Sequence, residues 1–411
     1  MQIAGQGEIE EKVFEPNAVF AKTGVSPIMA LGELARKMKK EGHDVILLGA
    51  GEPDFDTPQN VKEAGIAAIQ NGITKYTPVH GIPEAKAAVR RKFERDQKII
   101  YSDDEIAIST GAKQLLFNSL VVSLNAGDEV VIPSPVWSSY PAIVKIAGGT
   151  PVMVHASAAN GFKVTAAELE AAISPRTRWL MINSPSNPTG AVYSREELAA
   201  LADVLRRHPQ VWILTDEIYE KIVFDGKPFV SFVDAAPDLA GRMLVVNGVS
   251  KAQAMTGWRI GYAGGPAKLI AAMAALQSQS TTSACSIAQA ATITALDDTD
   301  ETVAQQCREY ERRRDLVVKE LNETNVLSCP KSEGAFYAFA SMEGLVGCKH
   351  ADGVINNDDD FCKYILNDAK VAIVPGIIFG APNYFRISIA TSYELLAEAM
   401  KRIKSSVAKL N

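Results

Sequence analysis

Residues 245–266 read V-V-N-G-V-S-K-A-Q-A-M-T-G-W-R-I-G-Y-A-G-G-P. They place one lysine, Lys251, in a loop of small residues directly after an apolar run that predicts a β-strand. Ser250 and the glycines of this loop supply a hydroxyl group and unobstructed backbone, which a bound phosphate or a flat ring needs for close approach. Arg259 stands eight residues after Lys251. Two basic residues in such a loop are more often solvated surface charge, so a functional interpretation depends on residues upstream.

The overall composition is that of an ordinary α/β enzyme. The chain has 411 residues, of which 47% are hydrophobic and 22% are charged, and this length suits roughly two to three domains. A formal net charge of -6 argues against a nucleic-acid surface, which would be basic. The composition therefore favours a small-molecule enzyme.

The five cysteines are odd in number and form no C-x-x-C pair, so neither a disulfide framework nor a metal site is expected. A reducing, cytoplasmic location is the corresponding expectation. The first residues lack the pattern of a secretory signal, and no run of about 18 apolar residues offers a membrane span. We expect a soluble protein without membrane or nucleic-acid partners.

Short apolar runs alternate with amphipathic helical patterns through the first two thirds of the chain. This alternation predicts a largely parallel sheet covered by helices on both faces. The predicted strands are residues 105–109, 129–132, 151–155, 179–182, 211–215 and 243–246, and predicted helices include residues 28–41, 84–97, 112–124 and 195–207. A helical region over residues 268–322 leads to a smaller α/β unit with strands 335–339, 371–374 and 384–389 and a closing helix over 392–410.

Chemically useful residues follow these strands, at the carboxyl ends where ligands gather in parallel sheets. The turn Gly111-Ala112 opens a helix, and its N–H groups together with Ser250 and the Arg259 guanidinium would bind a phosphate. Trp137 offers a flat face to a ring, and Asp216 could hold a ring nitrogen protonated.

Three further side chains extend this hypothesis. Asn187 and Tyr219 could hydrogen-bond a ring hydroxyl, and Lys251 could form a Schiff base with an aldehyde. A phosphate, a pyridine nitrogen, a phenolic oxygen and an aldehyde together describe pyridoxal 5′-phosphate. Singly, each residue has an ordinary structural explanation, such as a helix cap for Asp216 or a turn for Asn187. Their succession at consecutive strand ends favours one cofactor site.

Several motifs also resemble a known family. The segments G-A-G-E-P-D-F-D-T-P (49–58), T-G-A-K-Q (110–114), N-S-P-S-N-P-T-G (183–190), D-E-I-Y (216–219), S-K-A-Q-A-M-T-G-W-R-I-G-Y (250–262) and F-R-I-S-I-A-T-S (385–392) resemble the class I aminotransferases of fold type I, in particular the bacterial aspartate aminotransferases of subgroup I-beta. The resemblance covers residue 26 to the C-terminus. It implies a large domain with a mostly parallel seven-stranded sheet sandwiched by helices, together with a smaller α/β domain.

The resemblance implies a role for each matching residue. Those predicted to act in catalysis are Lys251 as the Schiff-base lysine, Asp216 as partner of the ring nitrogen, and Tyr219, with Asn187, as partners of the ring hydroxyl. Further residues are predicted to bind the cofactor. Trp137 would stack on its ring, and its phosphate would be bound by Gly111, Ala112, Lys113, Ser250 and Arg259. Arg386 matches the arginine that grips the substrate α-carboxylate, Gly51 a backbone contact to the substrate, and Tyr76 a tyrosine that reaches the phosphate of a neighbouring subunit.

The resemblance also implies a homodimer with shared active sites and a division of the chain. The predicted parts are an N-terminal arm (1–25), a segment joining the small domain (26–58), a large cofactor-binding domain (59–310) and a small C-terminal domain (311–411).

The substrate is less sharply defined by the sequence. No basic residue stands between Lys268 and Arg308, where the other aspartate aminotransferase subgroup carries the arginine for the side-chain carboxylate. Lys113 resembles the lysine that I-beta enzymes use instead, whereas Ile28-Met29 stands where those enzymes have a hydroxyl residue. We therefore expect transfer from L-aspartate to 2-oxoglutarate. An aromatic amino acid or prephenate aminotransferase, or less readily a pyridoxal-phosphate-dependent β-decarboxylase or lyase, is the alternative.

Overall fold

The computed structural model describes residues 14–16, 27–351 and 353–411. Most of the predicted N-terminal arm lies outside these residues. The side chains of residues 27–31 and 35 are also outside the described part, so the prediction about Ile28-Met29 has no structural counterpart here.

The described residues form thirteen α-helices and fourteen strands. The helices are α1 (Pro27–Lys40), α2 (Gln59–Gln70), α3 (Pro83–Gln97), α4 (Ala112–Val121), α5 (Ser139–Ile146), α6 (Ala166–Ala172), α7 (Arg195–Arg207), α8 (Phe232–Ala235), α9 (Ala267–Ser278), α10 (Ser286–Asp297), α11 (Asp300–Asn322), α12 (Asp358–Asp368) and α13 (Tyr393–Val407). The strands are β1 (Ile46–Leu47), β2 (Ile106–Ser109), β3 (Glu129–Ser134), β4 (Thr150–His155), β5 (Thr177–Asn183), β6 (Trp212–Asp216), β7 (Met243–Gly248), β8 (Gly261–Gly264), β9 (Tyr337–Ser341), β10 (Lys349–His350), β11 (Gly353–Val354), β12 (Val371–Ala372), β13 (Val374–Pro375) and β14 (Tyr384–Ser388).

A seven-stranded sheet with the order β2-β8-β7-β6-β5-β3-β4 forms the centre of the larger part. Only β8 runs against its neighbours, since it pairs antiparallel with both β2 and β7 while the other pairs are parallel. The predicted, mostly parallel seven-stranded sheet is thereby confirmed. Because the parallel strands end at one edge, the loops that follow β3, β5, β6 and β7 lie together there.

Both faces of this sheet are covered by apolar side chains. Along β7, Met243 and Val245 pack into one hydrophobic cluster, whereas Leu244 and Val246 pack into the cluster on the opposite face. This alternation follows from the two-residue period of a strand. The strand therefore reads as a continuous apolar run, as is typical of a sheet sandwiched between helix layers.

A second, smaller set of strands is built from the C-terminal part of the chain. Strands β13, β14 and β9 form an antiparallel sheet, with Arg386 of β14 opposite Phe339 of β9. Strand β1, from the N-terminal part, pairs in parallel with β12. The boundary expected at residues 310 and 311 lies inside α11, and the domain limits remain a prediction.

Local sequence signals explain several element bounds. Helix α7 begins after Ser194, whose side chain accepts a hydrogen bond from the Glu197 backbone while the Glu197 carboxylate bonds back to the Ser194 N–H; such a capping box fixes a helix start. Helix α13 begins likewise after Ser392, whose hydroxyl oxygen accepts from the Leu395 N–H. The described residues contain no helix long and apolar enough to cross a membrane.

Candidate active site

A cavity of about 450 Å³ lies at the carboxyl edge of the large sheet, where the smaller sheet packs against it. The residues that the sequence predicted for the site and that line this cavity are Gly51, Ala112, Lys113, Trp137, Asn187, Asp216, Tyr219, Ser250, Lys251, Arg259 and Arg386. Residues that the sequence reasoning did not assign to the site also line it, among them Glu52, Tyr140, Asn183 and Tyr337.

Lys251 stands three residues beyond the end of β7 and reaches across to the N-terminal part of the chain. Its Nζ donates a hydrogen bond of 2.6 Å to the Gly51 carbonyl oxygen. Burial lowers the pKa of Lys251 to about 8, although the negative charges of Glu52 and Asp216 act in the opposite direction. A lysine in this state is close to being an available base or nucleophile at neutral pH.

Asp216 is the last residue of β6 and is buried. The Tyr140 hydroxyl donates a hydrogen bond of 2.6 Å to Asp216 Oδ2, and the Ile218 N–H donates one of 3.2 Å to Oδ1. Burial raises the pKa of Asp216, and the hydrogen bond from Tyr140 opposes that rise. The carboxyl group thus faces the cavity with no ion-pair partner among the described residues, which suits a cationic ring nitrogen.

Gly111 connects β2 to α4 in a conformation with φ of 84°, which strongly favours glycine. A Cβ atom at this position would overlap the guanidinium of Arg259. Helix α4 has no side-chain cap, and its Gln114 N–H donates to the Gly111 carbonyl oxygen, so the N–H groups of Ala112 and Lys113 remain available. The Arg259 Nη1 donates 2.9 Å to the Thr256 carbonyl oxygen, and Ser250 is buried nearby in the same cavity lining.

This arrangement is a cradle for an anion. Backbone N–H groups at a helix start, a guanidinium group and a hydroxyl group converge on one end of the cavity. Gly111 itself does not line the cavity; it allows Arg259 to lie against the backbone of the turn.

Arg386 is almost completely buried, with 1% of its surface exposed. Its two terminal nitrogens donate hydrogen bonds of 2.7 Å to Asn187 Oδ1 and to the Gly49 carbonyl oxygen. The Nε atom has no hydrogen-bond partner, and burial lowers the pKa of this arginine. Arg386 lines the cavity, and its two hydrogen bonds leave other N–H donors unused, so this guanidinium group is a ready site for a carboxylate.

Lys113 and Trp137 lie together on another part of the cavity lining. The Lys113 Nζ is 4.4 Å from the centre of the Trp137 ring and 3.4 Å from the Ser139 hydroxyl oxygen. Burial lowers the pKa of Lys113, and the charge of Arg259 lowers it further. This lysine is thus a second cation without a carboxylate partner among the described residues.

Two tyrosines complete the site although the sequence reasoning passed over them. Tyr140 bonds Asp216, and the Tyr337 hydroxyl lies 2.8 Å from the Tyr219 hydroxyl. The spacing W-S-S-Y at 137–140, one helical turn after Trp137, was the available signal for Tyr140. Tyr337, by contrast, lies within an aromatic strand pattern that is typical of a core.

Tyr76 is a predicted site residue that lies on the exposed surface of the chain. Its side chain is 93% exposed, and it does not line the cavity of its own chain. The geometry of a single chain therefore gives it no role in that chain's own site.

Comparison with known proteins identifies the architecture. A sequence profile described as aminotransferase class I and II matches residues 43–403. The chain belongs to the class I and II aminotransferases. The predicted fold type I architecture, the aminotransferase class and pyridoxal 5′-phosphate as the cofactor are thereby confirmed.

Individual aminotransferases are similar over nearly the whole chain. The aspartate aminotransferase of Rhizobium meliloti (strain 1021) is 51% identical over 404 residues, covering 98% of each chain. The aspartate/prephenate aminotransferase of Cereibacter sphaeroides (strain ATCC 17029 / ATH 2.4.9) is 52% identical over 392 residues, which is 95% of this chain and 98% of that protein. The crystal structure of the Rhizobium meliloti aspartate aminotransferase superposes with a TM-score of 0.95 at 52% identity, covering 97% of this chain and 100% of the other.

The residues present fit the cofactor of this family. The anion cradle of α4 and Arg259 suits the phosphate, the buried Asp216 carboxyl group suits the ring nitrogen, and Lys251 lies in the same cavity. The Trp137 ring and the hydroxyl of Tyr219 line the space between them.

Proposed function

We propose that this aminotransferase moves the amino group of L-aspartate to 2-oxoglutarate, giving oxaloacetate and L-glutamate. Besides Arg259, which is assigned to the phosphate, two cations line the Lys251 cavity without carboxylate partners among the described residues, Arg386 and Lys113, and they carry the proposal. A dicarboxylic amino acid offers one carboxylate to each. The names of the similar aspartate aminotransferases support the same substrate.

The cofactor would be held by the residues already described. Pyridoxal 5′-phosphate, when bound, supplies an aldehyde that joins an amino group and a ring that withdraws electrons. The N-terminal turn of α4, Ser250 and Arg259 would bind its phosphate, and Trp137 would pack on its ring. Asp216 would keep the ring nitrogen protonated, and a cation there would in turn stabilise the ionised form of Asp216.

Lys251 would move the proton at the substrate Cα. A lysine must be neutral to accept a proton, and the ordinary pKa of 10.5 leaves roughly one lysine in three thousand neutral at pH 7. With its pKa lowered to about 8 by burial, roughly one in ten is neutral at the same pH. The Gly51 carbonyl oxygen, 2.6 Å from Nζ, holds the amine near the face of the cavity where the substrate would lie.

Arg386 would bind the substrate α-carboxylate through terminal N–H groups that its hydrogen bonds to Asn187 and Gly49 leave unused. Asn187 fixes the guanidinium group by its 2.7 Å hydrogen bond. Such fixed geometry would lower the entropic cost of the reaction.

A second candidate is an aromatic amino acid or prephenate aminotransferase. The indole of Trp137, close to Lys113, offers an apolar surface to a ring, and one similar protein is named aspartate/prephenate aminotransferase. A β-decarboxylase or lyase would use the same residues and would differ in its products.

The experiment is a set of absorbance spectra of the purified holoenzyme, recorded after adding aspartate, glutamate, phenylalanine, tyrosine or alanine without any oxo acid. We expect aspartate and glutamate to convert the cofactor band to that of its amine form. Conversion by the aromatic amino acids alone would reject aspartate as the substrate. Release of pyruvate or alanine from aspartate would indicate the β-decarboxylase instead.

We further propose a homodimer in which Tyr76 of each subunit contributes to the phosphate site of the other. Its 93% exposed ring is accompanied by exposed apolar side chains on α2 and the following turn, namely Ile66, Ile69 and Ile73. A patch of this kind supports burial against a second copy of the chain. The cytoplasmic location remains a prediction that the five unpaired cysteines support.

Mixing two variants tests the shared site. Lys251→Ala lacks the lysine and Tyr76→Ala lacks the phosphate contact, so each homodimer carries two damaged sites. After mixed refolding, a heterodimer carries one site with both residues intact, and we expect part of the activity to return. If the activity of the mixture only equals the sum of the activities of the two separate variants, the contribution of Tyr76 across the interface is refuted.

A further inference from the structure

Tyr337 stands at the start of β9, where the smaller sheet meets the edge of the large one. It is completely buried and lines the Lys251 cavity. Tyr337 has no role in the proposed function, although it lies against three groups of the proposed site, namely Tyr219, Arg386 and Gly51.

The first contact is with Tyr219, which follows β6 of the large sheet. The two hydroxyl oxygens lie 2.8 Å apart, and their rings meet edge to face with centroids 5.8 Å apart. One hydroxyl must donate to the other, and the acceptor keeps its own proton free for a further hydrogen bond.

The second contact is with Arg386, on the neighbouring strand of the smaller sheet. Tyr337 pairs with Ser388 in the register of β9 and β14, so Arg386 lies two residues along and on the same face. The guanidinium carbon is 4.4 Å from the centre of the Tyr337 ring. In a buried position such a cation–π contact helps to fix the orientation of the arginine.

The third contact concerns Gly51, whose carbonyl oxygen accepts the hydrogen bond from Lys251. A Cβ atom at Gly51 would lie 2.7 Å from the Tyr337 hydroxyl oxygen. This close approach requires glycine at position 51, and the tyrosine thereby sets the place of the Gly51 backbone.

We propose that Tyr337 is a positioning residue that donates its hydroxyl proton to Tyr219 and supports Arg386 with its ring. Tyr219 is then left to donate to the ring oxygen of the cofactor, while Arg386 is held for the substrate carboxylate. This inference rests on the proposed function, since it concerns the same cavity.

The surroundings of the two hydroxyls favour Tyr337 as the donor. Burial raises the pKa of both tyrosines, but the pKa of Tyr219 lies well above its ordinary value, and the neighbouring Tyr337 contributes to that rise. The Arg386 charge opposes the effect of burial at both tyrosines. The direction follows from the proposed cofactor contact: a Tyr219 hydroxyl that donates its proton to the ring oxygen must accept from Tyr337, whose hydroxyl oxygen lies 2.8 Å away.

Tyr337→Phe tests the hydroxyl group while keeping the ring. A Tyr219 hydroxyl that accepts from Tyr337 is a stronger donor and stabilises the negative ring oxygen of the cofactor. Loss of the Tyr337 hydroxyl should therefore shift the pH titration of the visible cofactor band. We expect the ionisation constant of the band to fall about three- to tenfold, as for the loss of one hydrogen bond. Because the ring remains on Arg386, the dissociation constant of the dicarboxylate maleate should change by less than about twofold.

The matched control is Tyr364→Phe. Tyr364 is also buried, and its hydroxyl donates 2.8 Å to the Ser406 carbonyl oxygen outside the cavity. This variant loses a buried hydrogen bond of similar length and should keep the wild-type titration. A Tyr337→Phe titration that matches those of wild type and Tyr364→Phe would overturn the donor role.

Tyr337→Leu tests the ring. Removing the aromatic face beneath Arg386 should weaken maleate binding about ten- to thirtyfold, and the spectral shift of Tyr337→Phe should persist. Equal maleate affinity in Tyr337→Leu and wild type would overturn the support of Arg386. If wild-type holoenzyme gives no spectral response to aspartate, the proposed function fails instead, and the two failures are therefore distinguishable.

Discussion

Replacing Glu217 with glutamine is expected to remove a pH dependence from the stability of the folded protein. Glu217 follows Asp216 but points away from the cavity into a buried polar cluster. Its carboxylate accepts hydrogen bonds of 2.6 Å from Gln97 and 2.7 Å from the Ser231 hydroxyl. The buried cation of this cluster, Lys92, contacts Glu220 at 2.6 Å, and no ion pair reaches Glu217 among the described residues. One buried ammonium group thus faces two buried carboxyl groups.

The structure sets the size and sign of the effect. Burial, followed by the charge of Glu220, raises the pKa of Glu217 from its ordinary 4.5 to about 8. Between these values the folded protein holds a proton that the unfolded chain has released, so the free energy of unfolding falls as pH rises. The full difference corresponds to about 5 kcal/mol, of which about 3 kcal/mol is lost between roughly pH 5.5 and pH 8.5.

Urea unfolding at these two pH values measures the effect. Glu217→Gln carries no titrating proton, so its free energy of unfolding relative to wild type should rise by about 3 kcal/mol between the lower and the higher pH. Glu94→Gln, an exposed change on helix α3, serves as the control and should show no such trend. An infrared carbonyl band of a protonated carboxyl group should also be missing in Glu217→Gln. A pH-independent difference with no missing band would refute the protonated Glu217.

Two further predictions concern the cofactor contacts. Gly111→Ala should weaken pyridoxal 5′-phosphate binding by the apo protein tenfold or more, because the new Cβ displaces the Arg259 guanidinium. A fluorescence titration measures this affinity. The control is Gly72→Ala, which has a similar positive φ but nothing within 4 Å and should leave the affinity unchanged. Tyr140→Phe removes the 2.6 Å hydrogen bond to Asp216, so kcat should fall about three- to tenfold with KM for aspartate unchanged, and equal kcat values would contradict this role.

The sequence predicted well the features that depend on local pattern. Helix α7 was expected at 195–207 and is found at Arg195–Arg207, because Ser194 and Glu197 form a capping box. The strand ends that carry Asp216 and Lys251 were also found together, because parallel strands end at one edge of a sheet. The helical region expected over 268–322 is instead three helices, since residues between α9, α10 and α11 adopt turns.

Features that depend on distant partners were not predictable from the sequence alone. The run at 371–374 was expected as one strand but is two, because Val371 and Ala372 pair with β1 while Val374 pairs with Arg386 of β14. Strand β8 was not recognised within its glycine-rich stretch. It forms by antiparallel pairing with both β2 and β7. Its glycines fit neighbours that leave no room for side chains, as at Gly264, where a Cβ would overlap the Tyr101 ring.

Tyr140 and Tyr337 were missed for a related reason. Both are buried aromatic residues in apolar patterns, and sequence alone cannot distinguish such residues from core side chains. Their contacts are hydroxyl groups 2.6 Å from Asp216 and 2.8 Å from Tyr219. The first depends on how α5 packs on the large sheet, and the second on how the two sheets pack against each other. Tyr76 shows the opposite case, because its exposure agrees with a role that only a second subunit can test.

The charges of the cavity explain why its residues could be recognised as a set. Burying a guanidinium group without a carboxylate partner costs free energy, yet Arg386 is buried with an unused Nε–H, and no ion pair reaches it within the described ranges. Lys251 and Asp216 also form no ion pair among the described residues. Burial shifts the pKa of each in the direction that favours its neutral form. A fold optimised for stability alone would pair or remove these groups. The proposed substrate and cofactor would supply partners for them, since a dicarboxylic amino acid offers a carboxylate to Arg386 and a protonated pyridine ring offers a cation to Asp216.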